Sequence, residues 1–130
     1  MTTTTRAPRR ILVVVGVALV VMVLNVVASI LYMVVYGHVL APGHDDAFYQ
    51  AHVRVAGPIS SVIVGIPLVY YASRWLARRR AAIDGIGIAI AYFVIDTAIL
   101  LVAGGLGVFA PIVALSHATK LAAAFAGARA

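Results

Sequence analysis

Four acidic residues occur in this chain, and one of them, Asp96, stands in the middle of the mostly apolar run from Ile83 to Ala103. An ionised carboxylate at the centre of a membrane span costs about 2.5 to 3.5 kcal/mol on insertion scales, so it needs a proton, a partner or water. A protonated Asp96 would hydrogen-bond to Asn25 or a serine. An ionised one would pair with His117 or Lys120, because side chains on the last helix lean toward its amino end and hence toward Asp96. The chemistry this permits is proton or ion binding. The plainer reading is a polar clamp that fixes helix register.

Helical rise puts further polar groups at a similar depth. Asn25 lies about 21 Å from Ile11, Ser60 and Ser61 about 18 to 20 Å from Ser73, and Asp96 about 18 Å from Asp84, at 1.5 Å per residue. His117 and Ser116 come out lower, roughly 13 Å from the end of the last helix, with Ser29 and Thr97 close to the layer. The spacing thus predicts a polar belt to which every helix contributes. Gly85, Ala89, Tyr92 and Asp96 recur on one face of the third helix, a pattern that close packing explains for the first three. Asp84, close to three arginines, reads as a helix cap or an interfacial ion partner.

A second constellation lies between the first two apolar runs. If a short helix starts at Asp45, then His44, Phe48 and His52 recur every fourth residue, with Asp46 and Tyr49 nearby. His44, Asp45, Asp46 and His52 are therefore candidate ligands for a divalent metal, although no HExxH-type signature accompanies them. His38 and His52 flank the same segment and offer a bis-histidine haem as a further alternative. The leading expectation is no cofactor. Without cysteine, the chain has no disulfide, thiolate metal site or cysteine nucleophile.

The elements that position these groups follow from composition. Of 130 residues, 64% are hydrophobic and 11% charged, and mean hydropathy is +1.08, values far outside soluble globular usage. The 26 residues from Ile11 to Tyr36 carry no charge, and about 20 apolar residues suffice to span hydrocarbon. Arg6, Arg9 and Arg10 before this run, with Val26-Val27-Ala28 before Ser29, give it a signal-peptide aspect. Its continuation to Tyr36 favours an uncleaved first helix.

The expected class is an all-α integral membrane protein, a bundle of four transmembrane helices forming one domain. The spans fall at about 11–36, 53–75, 83–103 and 106–125, with an outer loop at 37–52 and a basic cytoplasmic loop at 76–82. Pro58 and Gly65-Ile66-Pro67 should loosen or kink the second span, and Gly104-Gly105 with Gly107 marks a tight turn. The fourth span is the weakest of the four expectations, since Ser116, His117, Thr119 and Lys120 make its second half polar and would also suit an interfacial helix.

Nine of the ten basic residues fall on one side of this arrangement, and only Arg54 on the other. The bias places both termini in the cytoplasm and argues against dual-topology insertion. Basic residues in short clusters, rather than along a stripe, exclude nucleic acid as a partner. Tyr32, Tyr36 and Tyr49 suit the outer interface, and Tyr70, Tyr71 and Trp75 the inner one. Arginine- and alanine-valine-rich usage suggests a bacterial inner membrane.

No residue pattern supplies a nucleophile with a base, so the leading functional reading is non-enzymatic. It is an oligomerising or accessory membrane subunit whose partners are lipid, further copies or other membrane proteins. That reading expects Asp96 to be closed against another helix. The alternative is a small proton- or ion-coupled transporter or channel using Asp96, which expects a cavity at the belt. A second alternative places metal or haem binding at the outer loop.

Overall fold

The computed structural model describes residues 6–104 and 106–130. Among them the chain forms α1 (Arg6–Val35), a π-helical turn at Tyr36–Leu40, α2 (Asp46–Arg79), α3 (Ala82–Ala103) and α4 (Leu106–Arg129), with no strand. The stretches Ala7–Leu40, Asp46–Arg79 and Ala82–Ala103 are each long and apolar enough to cross a membrane. Large apolar side chains such as Leu12, Val23, Ile63 and Val102 point outward, a surface suited to hydrocarbon rather than water.

The segment between the first two helices departs from expectation. Instead of a loop over 37–52, helical backbone continues through Leu40 and resumes at Asp46, leaving only residues 41–45 between helices. Asp45 is the reason α2 starts so early: its carboxylate accepts a hydrogen bond from the Phe48 amide at 3.0 Å, an N-cap that satisfies an otherwise free helical donor. The basic connector expected over 76–82 likewise contracts to Arg80 and Ala81. Helix α2 is also unbroken, with Pro58 and Pro67 both inside it. Each proline removes one amide donor, a loss that packing against neighbouring helices makes tolerable. At the far end of α3, Gly104 adopts φ +70° as the C-cap, the left-handed conformation that glycine takes without a Cβ penalty. Gly105 lies outside the described residues.

Helices α2 and α3 pack on each other, and each also packs on α1 and α4. Two small apolar clusters hold this arrangement. One joins Val21, Met22, Val69, Ala89, Tyr92, Ala123 and Ala124, and the other Ala18, Leu76 and Ile88. Small residues allow the backbones to meet closely. Gly127 of α4 packs directly on the Tyr70 carbonyl of α2, and a Cβ at Gly85 would lie 2.7 Å from the Ser73 carbonyl oxygen. Ser73 donates to the Ala124 carbonyl at 2.7 Å, tying α2 to α4 by the kind of hydroxyl bond that membrane helices use where water is absent. At the end carrying the chain termini, Arg10 pairs with the buried carboxylate of Asp84. That pairing fixes the start of α1 against the start of α3.

Candidate functional site

The polar belt converges around Gly65. Its missing side chain leaves room for Lys120, which crosses from α4 and is 1% exposed. Lys120 Nζ donates to Ser116 Oγ at 2.6 Å and to Ser61 Oγ at 3.1 Å, and it lies 4.6 Å from the centre of the Tyr92 ring. Two hydroxyls and an aromatic face thus replace part of the water shell of an ammonium group. Asn25, from α1, donates through Nδ2 to Ser61 Oγ at 3.0 Å and to the Tyr92 hydroxyl at 2.9 Å. All four helices therefore meet in one hydrogen-bonded cluster: Asn25, Ser61, Tyr92, Ser116 and Lys120.

Asp96 stands one turn beyond Tyr92. Its Oδ2 lies 2.9 Å from His117 Nε2, yet that nitrogen is not directed at an acceptor with hydrogen-bond geometry. The contact is therefore electrostatic and strongest when the imidazole is protonated. Lys120 makes no ion pair with Asp96 within 4 Å among the described residues. One turn further along α1, Ser29 and Ser60 share a hydrogen bond of 2.9 Å.

This cluster floors a cavity of about 870 Å³ between α1, α2 and α3. Asn25, Ser29, Ser60, Ser61, Tyr92 and Asp96 all contribute to its wall, which extends to Tyr32, His38 and Tyr49 near the 41–45 turn. Asp96 keeps a third of its side chain exposed. Asn25 is 3% exposed, and its Oδ1 has no hydrogen-bond partner among the described residues. A buried acceptor left free at a cavity wall is costly unless something donates to it.

The structure thus brings Asn25, Ser60, Ser61, Asp96, His117 and Lys120 into one neighbourhood. It does not bring His44, Asp45, Asp46 and His52 together, and no metal-competent group of three or more such residues occurs among the described residues. Three of the four have other local contacts. Asp45 caps α2; His44 stacks on Phe48 at 3.8 Å between ring centres. His52 stacks on Tyr36 at 3.7 Å and bonds the Tyr32 hydroxyl at 2.9 Å. These contacts satisfy helix ends and rings rather than a shared ligand.

No protein-family model, curated protein or solved structure matches this chain.

Three participants escape the sequence reading. Tyr92 is read there as packing, and Ser116 only as a polar residue near the belt. Gly65 is read as part of a kink. Usable signals exist for the first two, since Tyr92 precedes Asp96, and Ser116 precedes Lys120, by four residues and so shares its face. Gly65 gives no such signal, because its role depends on a side chain 55 positions away.

Proposed function

We propose that this protein is a small membrane transporter or channel that binds an ion or proton at Asp96, in a polar belt reached through the cavity. The cavity carries the reading: the polar residues that bond one another also line an opening, and Asp96, a third of its side chain exposed, is on its wall. An intramembrane carboxylate beside a histidine, a lysine and a chain of hydroxyls has the parts for reversible charge transfer. The chain is read as a four-span bundle of a bacterial inner membrane. The termini and the arginines of 74–80 lie on the cytoplasmic side, as the basic-residue bias supports, and the cavity wall runs toward the turn at 41–45.

The test is flux in proteoliposomes. With a trapped pH dye and an imposed gradient of pH, sodium or potassium, the wild type dissipates at least one gradient faster than empty vesicles, and Asp96→Asn does not. Equal rates in all three preparations would remove the proposal.

A second reading, an oligomerising or accessory subunit, is favoured by a separate groove of about 680 Å³ between α1 and α2, lined by residues such as Val17, Val20, Leu68 and Tyr71. Gly16 opens onto this groove with no atom near its missing Cβ, which would admit a partner helix closely. Crosslinking from a Gly16→Cys variant in membranes separates the two readings, since an accessory subunit crosslinks and shows no flux of its own.

A further inference from the structure

The shape and chemistry of the same cavity narrow the class of ligand. The wall is predominantly apolar, with Met22, Val26, Ile30, Met33 and Val53 along it and the polar groups gathered at the belt. Such a distribution suits a molecule with an apolar body and one polar head. The head meets acceptors. Asp96 is the one acidic residue on the wall, and Ser29, Ser60 and Ser61 add hydroxyl-bearing side chains to it. The ammonium of Lys120 is not part of the wall; it sits behind Ser61, engaged by two hydroxyls and the Tyr92 ring. Tyr32 adds an aromatic ring to the wall, and aromatic faces attract cations once water is excluded.

We infer that the cavity binds an amphiphilic organic cation, its ammonium head at Asp96 and its apolar body along the α1 and α2 walls. A bare metal ion would need converging oxygen ligands on several sides, whereas this wall offers one carboxylate and a wide apolar surface. An organic anion would put its charge against Asp96. The inference rests on the transporter reading for its biological sense, but binding is measured without flux, so each can fail alone.

The experiment uses the full chain in lipid nanodiscs, with benzyltrimethylammonium as the probe. Its fixed charge does not titrate, and neopentylbenzene is its uncharged carbon isostere. Expected are saturable binding of the cation and no saturable binding of the isostere or of benzoate. Asp96→Asn should weaken cation binding about tenfold or more, as loss of a partly buried charge partner does. Asp96→Glu, which keeps the charge, should hold affinity within about threefold, on the same scale, and guards against a mere folding defect in the amide variant. Equal binding of cation and isostere, preference for benzoate, or unchanged cation affinity in Asp96→Asn would overturn the inference. Binding as expected with no flux in the proteoliposome test would leave the ligand class standing and remove the transporter reading.

Discussion

Gly65 and Lys120 compete for one volume: a Cβ on Gly65 would lie 2.6 Å from Cε of Lys120 and 3.6 Å from Nδ2 of Asn25. Lys120 cannot swing clear at low cost, because its ammonium is held by Ser61, Ser116 and the Tyr92 ring. The glycine is thus the reason a lysine from α4 reaches a serine of α2 and approaches the asparagine of α1.

Gly65→Ala should therefore destabilise the protein by about 1 to 3 kcal/mol, the usual range for overpacking. Lys120→Met, which keeps the chain as far as Cε and drops the ammonium, should be near neutral or stabilising, since it removes a buried charge with no ion-pair partner among the described residues. In the double variant the cost of Gly65→Ala should shrink, since the thioether is easily displaced. Thermal unfolding in one detergent, compared across the four proteins, reads the coupling; strict additivity would show that the two residues do not share the space.

Much of this belt is legible in the sequence. Counting 1.5 Å per residue along apolar runs puts Asn25, Ser60, Ser61 and Asp96 at one depth because a straight helix converts sequence position into height. Azimuth is harder. Height alone does not say that His117 rather than Lys120 faces Asp96, or that Ser61 turns to Lys120 while Ser60 turns to Ser29. The 37–52 segment misleads for another reason: Pro42-Gly43 and the two aspartates read as loop, yet Asp45 serves as the cap that starts α2.

The Arg10–Asp84 pair should respond unequally to loss of its two members. Asp84 is nearly buried, with its side chain 6% exposed, whereas that of Arg10 is 46% exposed. Removing the base strands a carboxylate, so Arg10→Gln should cost about 1 to 3 kcal/mol. Asp84→Asn leaves an arginine that water can reach and should cost about 0 to 1 kcal/mol. Equal losses in thermal unfolding would contradict the asymmetry.

Tyr49 closes the turn between the first two helices. Its hydroxyl donates to the Ala41 carbonyl at 2.9 Å and accepts from the His44 amide at 3.3 Å. Tyr49→Phe deletes both contacts and should lower local stability by about 1 kcal/mol. Amide exchange over residues 41–45 should quicken in the variant while exchange at Ser73 and Ile88 stays unchanged. Unaltered exchange at His44 would show that the turn holds without the hydroxyl.

The proposed binding of an ion or proton turns on Asp96, on the wall of the cavity. Infrared difference titration of the protein in lipid, wild type against Asp96→Asn, reads that carboxyl group directly. A carboxyl band that appears and disappears reversibly with pH, and is absent from the variant, is expected. A band that stays fixed across the accessible pH range, or no band assignable to Asp96 at any pH, would contradict it and leave Asp96 as a clamp between α3 and α4.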